Sequence, residues 1–262
     1  MPIIRCASPV VRVTIAGFVA VLASGCASAP SAPAKPCDTV SYALEDPAEP
    51  MNRGIFAFNR TVDDYALAPV ARGYLHLPDF FQTGIHNFVA NFGEPKVFIN
   101  DLLQGNGERS VATFGRFVIN TTAGIVGLID VSGKMGIERH KADFGQTFGV
   151  WNIANGPIVE LPLLGTSNLR DATGKLLSFM VDPLGGNSDT VNTLGTLNTV
   201  GGIVDGRAGL LPLTDELRKR PDYYLALRDT VARKRATFVA EGKKGSVVQA
   251  RSSCPGGEHD GQ

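Results

Sequence analysis

Four histidines, four cysteines and a few adjacent acids are the residues of this chain whose chemistry could cut, carry or coordinate. His76, His86, His140 and His259 do not follow a metal-ligand spacing to one another or to a cysteine. No Gly-x-Ser-x-Gly run presents a nucleophile at a strand-to-helix turn. Gly105-Asn106-Gly107-Glu108-Arg109-Ser110 begins like a dinucleotide loop but lacks the third glycine and a preceding strand. Gly174-Lys175 lacks the upstream glycine and the following Ser/Thr of a phosphate loop. Asp63-Asp64 is an acid pair, but neighbours on a helix point apart, so it reads as a solvated helix end. Arg218-Lys219-Arg220 and Arg233-Lys234-Arg235 read as solvated basic faces, with anionic lipid headgroups as the lesser alternative. No metal and no cofactor is expected, and any work the chain does is passive.

The cysteines carry more. Arg5 and Arg12 flank an apolar run, Val13 to Ala23, that leads into Ala23-Ser24-Gly25-Cys26. A short apolar segment with basic flanks and a small-residue exit reads as a signal peptide, too short for a membrane span. Its cysteine makes it resemble a bacterial lipoprotein signal, which implies cleavage before Cys26 and acylation of that residue. Ala23 stands three before the cysteine, where leucine is usual. Ala27, not aspartate, follows it, which implies sorting to the outer membrane. Loss of the leader removes Arg5, Arg12 and Cys6. Cys37 and Cys254 then remain, either as a disulfide in an oxidising periplasm or as two free thiols in the tails.

Composition sets the frame for what must position these residues. Lys+Arg and Asp+Glu are equal at 25 each, and the leader's loss leaves the mature chain slightly acidic. Nucleic acid is excluded as a partner, because no excess positive charge is available to displace counterions. A hydrophobic share of 44% supports a real core, and a charged share of 19% is too low for a disordered chain. Residues 1–25 are read as leader, 26–45 as lipidated tether, 46–241 as one domain and 242–262 as a mobile tail.

Within the domain the apolar spacing is helical. Met51, Ile55, Phe58, Val62 and Tyr65 recur at helical intervals, as do Phe81, Ile85, Phe88 and Phe92 after Pro78-Asp79. Pro95 is expected to open a separate helix ending at Gln104-Gly105, and Glu108 to Ile119 another. Asn168 and Asp171 form a capping-box-like start, and Pro221-Asp222 opens a long last helix. Only Ile158 to Leu164 resembles a strand. The fold class is all-α, built from Gly/Pro-punctuated helices. No run after the leader reaches the roughly 18 apolar residues of a span. A core accounts for most phenylalanines, with a few left to form an apolar rim in one membrane leaflet.

Several ordered stretches then carry a family pattern: Asp46 to Asn59 (DPAEPMNRGIFAFN), Ala68 to Tyr74 (APVARGY), Asn87 to Gly105 (NFVANFGEPKVFINDLLQG), Arg116 to Val131 (RFVINTTAGIVGLIDV), Asp143 to Trp151 (DFGQTFGVW), Gly156 to Gly174 (GPIVELPLLGTSNLRDATG) and Asp205 to Leu211 (DGRAGLL). With the lipoprotein signal, the chain resembles the MlaA/VacJ family of phospholipid-transport lipoproteins from Asp46 to about Glu241. Pro50-Met51 and Ala68 depart from the usual pattern. The resemblance implies an all-α ring in the inner leaflet of the outer membrane, with a central amphipathic channel. It implies extraction of phospholipids from the outer leaflet, transfer to a soluble periplasmic carrier, association with a trimeric porin and no covalent chemistry.

A headgroup crossing hydrocarbon needs charge close by. Arg116, Asp130, Arg170, Asp171 and Arg207 are the candidate lumen charges, each with a structural ion pair or cap as its alternative, favoured for Asp171. Arg207 is singled out, because it follows the Gly185 to Gly202 stretch, which is expected to be a mobile hairpin with Gly185-Gly186 and Gly201-Gly202 as hinges. Two other functions fit the sequence: a structural or surface-interaction lipoprotein without a lumen, and a periplasmic hydrolase without a known motif.

Overall fold

The computed structural model of the protein describes residues 45–181 and 189–245. Cys26, Cys37, Cys254, the leader, the tether, most of the tail and the Gly185-Gly186 pair lie outside the described residues. The chain opens with α1 (Glu49–Val62), which runs through a π turn (Asp63–Leu67) into α2 (Ala68–Tyr74). Then come α3 (Asp79–Leu103), α4 (Gly107–Thr122), the single turn α5 (Val131–Lys134) and α6 (Phe144–Val150). A hairpin of β1 (Ile158–Leu161) and β2 (Gly165–Asn168) leads to α7 (Leu169–Met180), α8 (Asp189–Leu217) and α9 (Tyr223–Lys243). The fold is thus α-helical apart from one antiparallel hairpin, registered Ile158 to Asn168 and Leu161 to Gly165. No helix among the described residues is long and apolar enough to cross a membrane.

Local chemistry sets most helix starts. Asn106, Asp130, Asp143, Asn168 and Asp222 each accept the backbone N–H three residues on, which fills one of the unpaired donors of the first turn. Asn168 also donates to the Asp171 carboxylate at 2.8 Å, so the expected cap is reciprocal.

Three expectations are corrected. Pro95 does not open a helix but lies inside the 25-residue α3. Proline removes one backbone bond there. Side-chain bonds to α4 hold the helix on both sides of it: Asn91 to Thr121 at 3.0 Å, Arg116 to Glu94 at 3.1 Å and Thr113 to Asp101 at 2.7 Å. Residues 189–202 are helix, not hairpin, and Gly201-Gly202 is no hinge. A Cβ at either glycine would come 3.3 Å from Ile85 or Val89, so the pair lets α8 lie close on α3. Nor do phenylalanines fill the core: among the described residues only Phe144 is fully buried, whereas Phe58, Phe80, Phe81, Phe114 and Phe179 are exposed.

The apolar core that does exist is small. Ala68, Ala71 and Tyr74 of α2 meet Ala208 and Leu211 of α8. Elsewhere the helices join through polar side chains. Asn52 and Asn59, two turns apart on α1, act as a substitute strand for the hairpin. Asn52 donates to the Ile158 carbonyl at 3.1 Å and accepts the Glu160 N–H at 3.0 Å. Asn59 donates to the Leu161 carbonyl at 2.9 Å and accepts the Leu163 N–H at 2.7 Å. The open edge of β1 is thereby paired, as buried backbone groups require.

Candidate functional site

Helix α4 is amphipathic in the reverse sense of a soluble-protein helix. Ser110, Thr113, Arg116 and Asn120 face inward and are buried, while Val111, Phe114 and Val118 face outward. Helix α3 likewise buries Asn91, Glu94, Asn100 and Asp101. Among the described residues, fully buried polar and charged side chains outnumber fully buried apolar ones. Exposed apolar side chains continue along α7 (Leu176, Phe179, Met180), α8 (Leu197, Val200, Ile203) and the turn Ile125–Ile129. An apolar skin over a hydrogen-bonded interior suits surroundings that are themselves apolar.

The interior charges form three groups. In the first, between α3 and α4, Arg116 is fully buried. It donates to Glu94 at 3.1 Å, to both Asp130 oxygens at 2.9 and 3.1 Å, and to the Ile137 carbonyl. Burial alone would raise the Asp130 carboxyl. Hydrogen bonds from Gly133 N–H, Arg116, Asn120 and Ser132 outweigh it and hold that carboxyl below the usual range. Beside this group, Thr113 donates to Asp101 at 2.7 Å, and His140 Nε2 stands 2.9 Å from the same carboxylate but 3.4 Å from the hydroxyl. A nucleophile needs its hydroxyl on the imidazole and the carboxylate behind it, and here that order is reversed.

The second group surrounds the π turn. Arg207 forks Asp63 at 2.5 and 2.8 Å and donates to Thr214 at 3.1 Å. Arg218 binds Asp63 at 2.8 Å and also Asp64, while Arg60 approaches Asp64 at 3.5 Å. The wide turn brings both acids onto one arginine, so the Asp63-Asp64 pair is not the solvated helix end expected of it. The third group lies between α6, α7 and α9. Arg235 forks Asp143 at 2.7 and 3.0 Å and reaches Asp171 at 2.9 Å, and Arg170 backs Asp171 at 2.9 Å. Burial would raise the Asp171 carboxyl, but the charge and hydrogen bond of Arg235, joined by Arg170, bring it below its ordinary value.

Three adjoining cavities follow α9 past two of these groups. The first, about 300 Å³, has Arg207, Arg218 and Asp63 on one wall and Leu163, Leu210 and Leu227 among its apolar lining. The second, about 110 Å³, shares Thr166 and Val231 with the first. The third, about 570 Å³, shares Asp143 and Arg235 with the second and is rich in Lys96, Arg139, Lys141 and Lys234. Of the expected lumen charges, Arg207 and Asp171 line a cavity. Arg116, Asp130 and Arg170 line none of these three and are held in ion pairs. The sequence reading passed over Arg218 and Arg235, both inside runs read as solvated. Arg228 and Arg235 stand two turns apart on the face of α9 that carries Val231 and Ala232, and that spacing was the available signal.

Comparison with known proteins places this architecture. Residues 44–237 match the family described as MlaA lipoprotein, and the chain belongs to that family. The intermembrane phospholipid transport system lipoprotein MlaA of Escherichia coli (strain K12) is 32% identical over 230 residues, 83% of this chain and 84% of that one. An uncharacterised protein of Rickettsia typhi is 36% identical over 197 residues, 74% of this chain and 78% of that one. A solved structure reported as "Structural basis for maintenance of bacterial outer membrane lipid asymmetry" aligns with a TM-score of 0.63 at 32% identity, covering 74% of this chain and 99% of that one.

Proposed function

We propose that this protein is a passive phospholipid conduit. It removes phospholipids that have strayed into the outer leaflet of the outer membrane and hands them to a soluble periplasmic carrier. Residues 1–25 are the leader, acylated Cys26 begins a tether through residue 45, and the domain of 46–241 rests in the inner leaflet as a helical ring beside a trimeric porin. A tail follows from residue 242. The reversed amphipathicity of α4 is the observation that carries the reading: its apolar face suits acyl chains, while its polar face is buried in bonds to α3 and Asp130 and so needs no water.

The cavities along α9 supply the rest. Around the π turn three arginines, Arg60, Arg207 and Arg218, meet Asp63 and Asp64, with Glu160 and leucines on the same cavity, so the guanidinium donors lie beside an apolar lining. That pairing suits a phosphate with its acyl chains still attached. Arg116, Asp130 and Arg170 serve as clamps for the wall.

The test is transfer of fluorescent phospholipid from vesicles carrying the lipidated protein to a periplasmic acceptor. Transfer above the protein-free rate is expected, with intact lipid recovered. No transfer would favour a structural lipoprotein, and release of fatty acid or lysolipid would favour a hydrolase.

A further inference from the structure

The middle cavity holds a lysine with no ion pair among the described residues, although Asp171, Asp143 and Glu160 lie near enough to favour its charge. Lys175 of α7 lines it, and its ammonium makes one hydrogen bond, to the Leu164 carbonyl at 3.3 Å. Among the described residues no carboxylate lies within 4.0 Å of it. The acids nearby are committed elsewhere. Asp143 is forked by Arg235, and Asp171 is held by Arg235, Arg170 and Asn168. Glu160 spends its oxygens on Asn59 at 2.8 Å and Thr166 at 2.7 Å. Arg228, on the same cavity, leans on Asp46 at 3.5 Å and Asp229 at 3.2 Å.

A second, independent observation concerns Ser167 of β2. It lines the same cavity, is 4% exposed, and its hydroxyl is buried without a hydrogen-bond partner among the described residues. A buried hydroxyl without a partner is expensive, the Lys175 ammonium keeps donors to spare beyond Leu164, and one anion would satisfy both. Size narrows the choice. At about 110 Å³ the space exceeds several times the roughly 10–15 Å³ that admits one water, enough for a tetrahedral oxyanion but not for an acyl chain.

We propose that this cavity is a binding site for the phosphate of a phosphate ester, with Lys175 Nζ as counter-charge and the Ser167 hydroxyl as a neutral donor. Arg228 and Arg235 offset Asp143 and Asp171 on the cavity wall, which leaves Lys175 as the excess charge of the lining. Burial, and then the charge of Arg235, lower the Lys175 ammonium below its ordinary value, and a bound phosphate would raise it again. The source is either a lipid headgroup halted between the two larger cavities or a free phosphate. The first source rests on the conduit reading, and the second does not.

The experiment uses the lipidated protein in nanodiscs. Lys175 is labelled with an amine-reactive acetylating reagent and quantified by mass spectrometry in buffer, with inorganic phosphate, with phosphatidylglycerol and with diacylglycerol, which has no phosphate. Phosphatidylglycerol transfer and thermal midpoint are measured on the wild type, Lys175→Met, Lys175→Arg and Ser167→Ala. Phosphatidylglycerol is expected to protect Lys175 while diacylglycerol does not. Lys175→Met should slow transfer about tenfold, the loss expected of one charge-assisted bond, with no fall in thermal midpoint. Lys175→Arg should keep most of the rate. Protection by inorganic phosphate in a protein that transfers no lipid would keep the site and reject the conduit. Normal transfer in Lys175→Met, or labelling indifferent to both phosphates while transfer proceeds, would reject the site and keep the conduit.

Discussion

Arg207 and Asp63 form a forked ion pair between α8 and the π turn across 144 residues of sequence. Their side chains are 11% and 17% exposed, so the pair is shielded from water. Arg207→Glu would set two carboxylates against each other and leave Thr214 without its guanidinium. A loss of about 3–5 kcal/mol is expected, read by urea unfolding. Neutral replacements, Arg207→Met and Asp63→Asn singly and together, give the coupling through a double-mutant cycle, with a non-zero interaction energy expected.

Helix α7 crosses α6 at Gly174, where a Cβ would lie 2.4 Å from the Gly145 nitrogen, a backbone atom that cannot swing aside. Gly174→Ala should therefore destabilise by about 1–3 kcal/mol or more through overpacking. Gly115 on α4 has open space, and Gly115→Ala should stabilise by about 0.5–1 kcal/mol through helix propensity alone. Opposite shifts in thermal midpoint for the two variants are the expected result.

Acid should release the clamp between α4 and α5. The folded Asp130 carboxyl ionises at lower pH than the unfolded one. Its stabilisation is complete above the unfolded value of 3.8 and is lost as pH falls through the depressed folded value. Asp130→Asn should lower stability at neutral pH by about 1.5–3 kcal/mol and flatten the acid limb, measured by chemical denaturation at stepped pH.

Ile125 and Val126 hold φ of 54° and 56°, a region β-branched residues avoid. The turn is fixed by Val126 N–H to Thr121 at 3.1 Å and Gly127 N–H to Asn120 at 2.9 Å, and it leaves both side chains exposed. Val126→Asn relieves strain of about 1–3 kcal/mol and takes an apolar side chain off the exposed turn. A higher thermal midpoint together with weaker vesicle binding of the unlipidated Cys26→Ser protein is expected.

What the sequence disclosed divides along the range of the interactions. Caps such as Asn168-Asp171 and Asp222 were readable, because a side chain and the N–H it meets sit three residues apart. The periodicity of α1, α3 and α4 was readable for the same reason. Pro95 and Gly201-Gly202 misled, because the bonds that keep α3 straight and the surface that makes the glycines useful belong to other helices. The cavity charges were hidden in the same way. Nothing near Arg218 or Arg235 announces Asp63, Asp64, Asp143 or Asp171, and a run of three basic residues looks alike whichever one turns inward. The phenylalanines were misassigned because helical spacing gives a face but not the solvent that face meets.

The polar seam between α3 and α4 also bears on how such a chain reaches its destination. Most of its side chains are held by partners within the chain, so the seam does not depend on a bilayer for its bonds. The face that closes last to the outside is then the oily one. On the proposed route to the outer membrane, the molecule would be folded before it is sheltered, with Phe80, Phe81, Phe114 and Phe179 uncovered until an apolar surface meets them.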